Sequence, residues 1–266
     1  MIAKTTDSKN IYYEVKGNLT SSKTIIFLNG LSQTTTAWGL VTPFFENDFK
    51  IILMDFIFQG QSDTDSPVRD FDTHAKDVLS VLDNLGVNEV ILCGLSYGSL
   101  VGQHFAVNYP DRLKKLILIS SFAHKTPYYE AIELSWKNAL SLGGYSLMLD
   151  VMLPYVLSDV YFEKPLIPID FFKATKKDVV DTASLAKLMQ ATAERKDFRS
   201  ELTKITTSTL VIHGRLDALF PVYLGEEIAN QIKNCKFTII ENAGHTLNIE
   251  AVDKVAKTII DFVLTD

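Results

Sequence analysis

The sequence predicts an α/β fold, with a mostly parallel central sheet flanked by helices and a helical segment inserted into it. Three observations predict it. Short apolar runs bounded by turn residues alternate with stretches of helical period over residues 24–120 and again over 209–264. Three of these runs are followed within a few residues by ones suited to chemistry, Ser96, Asp217 and His245. Between Ser121 and about Thr207 the alternation stops, and large apolar side chains replace the strand signals. A chain of 266 residues can form one large domain or two small ones. Candidate site elements at 29, 96, 217 and 245 span it, so one core is expected.

Residues 11–15 read as an early antiparallel strand, and 24–28 as a buried strand followed by Asn29-Gly30. Residues 50–54 form the next strand, ending at Asp55. A helix is expected over 73–85, because Ala75, Val78, Leu79, Leu82 and Leu85 share one stripe and Gly86 stops it. Val90-Ile91-Leu92-Cys93 is a strand, and 99–107 a helix ending near Tyr109-Pro110. Residues 113–120 form another buried strand. The segment from 121 to about 207 is helical and carries, among others, Leu134, Trp136, Leu140, Tyr145, Met148, Met152, Leu153, Phe162, Phe171 and Phe172. Its last part, 189–202, with Arg195, Asp197 and Phe198, is expected to return to the core. Strands follow at 209–213 and 236–240, with a helix opened by Pro221 between them and a final helix from about 249 to 264.

Gly94-Leu95-Ser96-Tyr97-Gly98 fits G-x-S-x-G between a strand and a helix, the setting of a nucleophile elbow. The glycines answer a steric need. The serine backbone is strained, and neighbouring chains leave no room for a Cβ at the flanking positions. A serine hydroxyl is a poor nucleophile at neutral pH and needs a base, and the base needs an acid to hold its tautomer. His245 and Asp217 are the candidates, each in the loop after a strand and in the chain order Ser, Asp, His. In a parallel sheet those strand ends share one edge. The other loop that could carry the acid, 121–126 after the strand at 113–120, contains no carboxylate, which favours Asp217.

With these motifs the chain resembles the α/β-hydrolase fold family over nearly its whole length. The elbow matches at 94–98, the G-x-x-D-x-x-x-P acid loop at 214–221, the G-H base loop at Gly244-His245 and the D-x-x-x-x-G-x-S segment at 55–62. The resemblance implies a serine hydrolase of carboxylesterase type with Ser96, Asp217 and His245 as its triad. It also implies an oxyanion hole made by the backbone N–H groups of Leu31 and Tyr97, and a helical cap over the site. The expected division is core over 1–121, cap over 122–187 and core again over 188–266. The chain departs from the family at Asn29-Gly30, where His-Gly is usual. Because the oxyanion donors are backbone groups, this need not remove catalysis. Asn29-Gly30, Thr34-Thr35 and Gln59-Gly60-Gln61-Ser62 are similar to a narrower branch, the bacterial hydroxyacyl transferases of the rhamnolipid pathway.

The expected activity is therefore cleavage of carboxylic esters through an acyl-enzyme. The alternatives are an acyltransferase or thioesterase acting on (hydroxy)acyl thioesters, an enol-lactone or carbon–carbon bond hydrolase, and a non-catalytic ligand receptor. A net charge of −6 argues against a nucleic-acid partner. Two cysteines are too few for a disulfide framework, no Cys/His cluster has metal spacing, and no cofactor or metal is expected. The partner is expected to be a small-molecule ester or thioester. The first residues lack an apolar leader and no apolar run reads as long enough to span a bilayer, so a cytoplasmic location without a membrane span is expected. His74, His104, His124 and His213 are expected to be structural, Asp55 to hold the Asn29 loop, and Asp63 and Asp65 to be solvated turn residues.

Overall fold

The computed structural model describes residues 1–170 and 181–265. Eight strands form one sheet: β1 Ile2–Lys4, β2 Asn10–Gly17, β3 Thr24–Leu28, β4 Lys50–Met54, β5 Val90–Leu95, β6 Leu113–Ile119, β7 Thr209–Gly214 and β8 Cys235–Ile240. Their order is β1-β2-β4-β3-β5-β6-β7-β8. The pairs β1/β2 and β2/β4 are antiparallel, and every pair from β4 through β3 to β8 is parallel. Parallel strands covered on both faces read as unbroken apolar runs. Accordingly, β3 and β5 are buried at every position. After β3 the chain crosses to β4 on one side and later to β5 on the other, so the winding reverses there. Ligands bind at such a switch point, beyond the C-terminal strand ends.

The helices are α1 Phe71–Asn84, α2 Tyr97–Asn108, α3 Pro127–Val156, α4 Asp159–Glu163, α5 Thr182–Glu194, α6 Arg199–Leu202, α7 Val222–Gln231, α8 Leu247–Glu250 and α9 Val252–Leu264. On one sheet face Ile26, Leu28, Leu92 and Leu116 pack with α1, α2 and the α3–α5 region. On the other, Ile25, Phe27 and Ile117 meet Trp38, Phe45 and the Val255, Ile259 and Phe262 stripe of α9.

The differences from the expected elements have local causes. The first helix starts two residues early because Asp70 caps it, its carboxylate accepting Thr73 N at 2.8 Å. The final helix is interrupted at Ala251, and the preceding turn is the separate α8. β1 was too short to register as a pattern, and Cys235 is the first residue of β8 rather than its predecessor. Pro127–Val156 is, contrary to expectation, long and apolar enough by length and composition to cross a bilayer. Its backbone breaks at Gly143-Gly144, the second glycine at φ +64°, and its Tyr129, Trp136, Tyr145, Met148 and Met152 pack into the core. Between β6 and β7 the described residues hold helices and no strand. Phe171 and Phe172 lie outside the described residues.

Candidate active site

Ser96 is placed by the turn from β5 into α2. Its φ of 51° lies in the left-handed region, and its N–H donates to Ile119 O on β6 at 2.9 Å. The flanking glycines answer the close approach of backbone. A Cβ on Gly94 would lie 2.3 Å from Gly98 O, and one on Gly98 would lie 2.4 Å from Leu28 O. The turn therefore folds only with glycine at both places, and it leaves Ser96 partly exposed above the sheet.

Asp217 follows β7 and His245 follows β8, and both are buried. His245 Nε2 lies 2.9 Å from Ser96 Oγ, and His245 Nδ1 lies 2.9 Å from Asp217 Oδ2. The other Asp217 oxygen, Oδ1, accepts the N–H groups of Leu219 at 3.0 Å and Phe220 at 2.8 Å. The His245 loop is held from several sides. Ser120 Oγ donates to His245 O at 2.8 Å, and the Glu250 carboxylate accepts Gly244 N at 3.0 Å and Thr246 N at 3.3 Å. Glu250 Oε2 also accepts Ser158 N at 3.0 Å and Ser158 Oγ at 2.6 Å, so one carboxylate joins the His245 loop to the start of α4. Such an arrangement can remove a proton from Ser96, hold it on the imidazole and compensate the resulting charge.

Leu31 and Tyr97 line the same cavity as Ser96 and His245. Tyr97 is the first residue of α2, where amides have no intrahelical acceptor. Among the described residues neither the Leu31 nor the Tyr97 N–H has an acceptor within the protein. The Leu31 loop is fixed by Gln59, whose Nε2 donates to Gly30 O at 2.8 Å and Leu31 O at 3.1 Å. Asn29 is fully buried beneath it, and its Nδ2 donates to Met54 O at 2.8 Å. Asp55 accepts Thr35 N at 2.7 Å and Gln61 N at 3.0 Å, which makes it a holder of this loop. Burial pushes its carboxyl above the ordinary range, and those amide donors oppose the shift.

The cavity over these residues, counted with the space open to solvent at its mouth, spans about 730 Å³. Its walls come from Phe122, Leu219 and Phe220 on the sheet side and from Tyr129, Trp136, Met152, Leu153, Val156 and Leu157 of the inserted segment. Among the described residues that line it none carries a formal charge apart from whatever His245 acquires. Leu134, Leu147 and Phe162, equally apolar in sequence, are exposed instead.

His104 stacks on Phe198 with centroids 4.2 Å apart and meets Asp72 at 2.8 Å. His124 faces Glu227 at 3.0 Å. His74 and His213 are fully buried. Asp63 is not merely a solvated turn residue: it accepts Asn10 N at 2.8 Å and anchors the start of β2. Sequence reasoning missed Gln59 as a brace, and it missed Ser120 and Glu250 altogether. Gln59 lies in the D-x-x-x-x-G-x-S segment at 55–62, whereas nothing in the local pattern marks a glutamate five positions after His245 as the clamp of its loop.

The alpha/beta hydrolase fold family matches the chain over residues 23–142. YisY of Bacillus subtilis strain 168, named as an AB hydrolase superfamily protein, is 27% identical over 97% of each chain. A 2-hydroxy-6-oxononadienedioate/2-hydroxy-6-oxononatrienedioate hydrolase of Escherichia coli is 24% identical over 91% of this chain and 87% of its own length. A thermophilic esterase of Thermogutta terrifontis has the same fold, with a TM-score of 0.89 at 24% identity over 99% of this chain and 97% of that one. The chain has the alpha/beta hydrolase fold.

Proposed function

We propose that this protein, which has the alpha/beta hydrolase fold, is a serine hydrolase that cleaves carboxylic esters with neutral, apolar acyl groups. Ser96 Oγ attacks the ester carbonyl while His245 Nε2 takes its proton. Asp217 holds the imidazole tautomer and stabilises the imidazolium. The Leu31 and Tyr97 amides receive the oxyanion, a contribution of about 3 kcal/mol for each donor. Collapse expels the alcohol, which takes the proton from His245 and leaves Ser96 acylated. Water, deprotonated by the same histidine, attacks that ester and releases the acid, returning the hydrogen to Ser96.

The observation that carries this reading is the line of two contacts of 2.9 Å from Ser96 through His245 to Asp217 at the floor of an apolar cavity. The cavity chemistry favours a neutral acyl group over a dicarboxylate of the kind named for the Escherichia coli relatives. Two carboxylates would enter a space whose described walls supply no cation, at a desolvation cost of several kcal/mol. The likeness to hydroxyacyl transferases finds less support. Asn29 is directed at Met54 O and lies outside the cavity lining, so it braces a loop.

The test is a panel of p-nitrophenyl esters from acetyl to dodecanoyl, run beside the matching acyl-CoA thioesters, an enol lactone and a vinylogous dioate. Preference for the neutral oxygen esters supports the reading. Preference for the thioesters with transfer to added hydroxy acid, or for the dioate, replaces it.

A further inference from the structure

Arg195 follows α5, where the chain leaves the inserted segment, and only 8% of its surface is exposed. Its guanidinium lies 4.8 Å from the Phe198 ring centroid, 5.5 Å from that of Phe71 and 5.7 Å from that of Phe122. Nη1 donates to Ala123 O at 3.2 Å, Nη2 to Gln103 Oε1 at 2.8 Å, and Nε reaches His104 Nε2 at 3.4 Å. Among the described residues no carboxylate pairs with it directly; its charge is met through His104, whose Nδ1 contacts Asp72. Burial and the neighbouring guanidinium pull His104 down to about 4, so the ring is neutral and bridges the two.

A second line runs inward from the same guanidinium. Gln103 Nε2 donates to Ser121 Oγ at 2.8 Å, Ser121 Oγ and Ser99 Oγ are 2.8 Å apart, and Ser99 Oγ donates to Ser96 O at 2.5 Å. The direction of this chain follows from proton counting. Ser96 O has no hydrogen to give and takes the only one that Ser99 has, so Ser121 supplies the hydrogen between the two hydroxyls. Every link then points from the guanidinium toward the carbonyl of Ser96. That carbonyl belongs to a residue at φ 51°, and a strained backbone persists only where its surroundings over-determine it.

We propose that Arg195 is a positioning residue for Ser96, holding the strained elbow through Gln103, Ser121 and Ser99 and so tying the exit of the helical insertion to the reacting serine. This rests on Ser96 being the nucleophile. Arg195 touches neither the cavity nor Ser96, and its effect travels through the hydroxyl chain.

A double-mutant cycle tests it with the full-length protein, using Arg195→Met, Ser99→Ala and the pair. The readouts are kcat and KM on the best p-nitrophenyl ester and the rate of labelling by a fluorophosphonate. Each single change is expected to lower kcat and the labelling rate about tenfold to a hundredfold, with KM changed less than about threefold, because a small displacement of the nucleophile misaligns attack. The double variant is expected to be no slower than the slower single, since both cut one line. Should Arg195→Met not fold, Arg195→Lys completes the same cycle: it keeps the cation among the rings but lacks the planar fork that joins Gln103 to Ala123. Losses that multiply in the double variant, or single variants with wild-type kcat and labelling, overturn the proposal while leaving Ser96 as nucleophile. A wild-type protein not labelled at Ser96 overturns the nucleophile reading itself, and this proposal with it.

Discussion

Asp217 meets His245 with only one uncommitted oxygen. Oδ2 lies 2.9 Å from His245 Nδ1, while Oδ1 is occupied by the amides of Leu219 and Phe220. The carboxylate thus serves three donors, and an amide in its place has one oxygen for them. In Asp217→Asn the oxygen stays with the two backbone amides and the NH₂ faces Nδ1. His245 is then forced into the tautomer that points a hydrogen at Ser96. We expect kcat to fall about 10⁴-fold while the melting temperature changes little. Near-wild-type turnover, checked by steady-state kinetics on the purified variant, would assign the acid elsewhere.

Glu250 is expected to matter through the loop it holds. Glu250→Ala leaves Gly244 N, Ser158 N and Ser158 Oγ without their acceptor, and Thr246 N with Val156 O alone. A buried donor left unpaired costs about 1–3 kcal/mol, so a loss of stability of at least that size is expected. The His245 loop also loosens, and kcat should fall more than KM rises. Thermal unfolding and kinetics on one sample check both; an effect on stability with unchanged kcat would make Glu250 a strut only.

The cavity should set acyl length. Each methylene buried is worth about 0.8 kcal/mol, roughly fourfold in kcat/KM. Activity should rise with chain length and fall once the cavity is full. Trp136 lines that cavity and is buried. Trp136→Ala is therefore expected to move the optimum to longer chains, at a cost of about 3–5 kcal/mol in stability. A length profile identical to wild type would show that the acyl group lies elsewhere.

Stability should depend on pH through two histidines. His74 and His213 are fully buried, and their ring nitrogens have no hydrogen-bond partner among the described residues. Burial pulls them down to about 3 and about 4, from an ordinary value of 6.5. The folded state therefore refuses a proton that the unfolded chain accepts. The stability involved is fully present above 6.5 and is lost as the pH falls toward the folded values, by up to about 1.4 kcal/mol per pH unit for each group. His213→Leu removes one such group. The unfolding free energy of wild type relative to this variant should decline steadily between about pH 6 and pH 4. A constant difference, measured by urea denaturation across that range, would contradict the assignment.

Most of the sheet and the three chemistry-bearing loops were legible because buried parallel strands write themselves as apolar runs and the elbow needs glycine at 94 and 98. Asn29 and Asp55 could be guessed as loop holders from their place after strands. What was not legible depends on contacts between distant segments. Arg195 lies in a segment expected to return to the core, but only the fold surrounds it with Phe71, Phe122 and Phe198. Trp136 and Leu134 belong to one apolar stretch, yet two positions apart on a helix they point about 200° from each other, so one lines the cavity and the other faces solvent; which of the two faces is covered depends on segments distant in sequence. Glu250 was hidden for the same reason.

Ser96 as nucleophile is tested by treating the protein with a fluorophosphonate and mapping the adduct by peptide mass spectrometry, in wild type and in Ser96→Ala. Ser96 Oγ is bonded only to His245 among the described residues, so the alanine should fold normally. One phosphonyl group on Ser96 is expected in the wild type, with loss of esterase activity in proportion to labelling, and neither labelling nor turnover above a trace in a folded Ser96→Ala. An adduct on another residue, or substantial ester turnover by the folded alanine variant, would contradict this assignment.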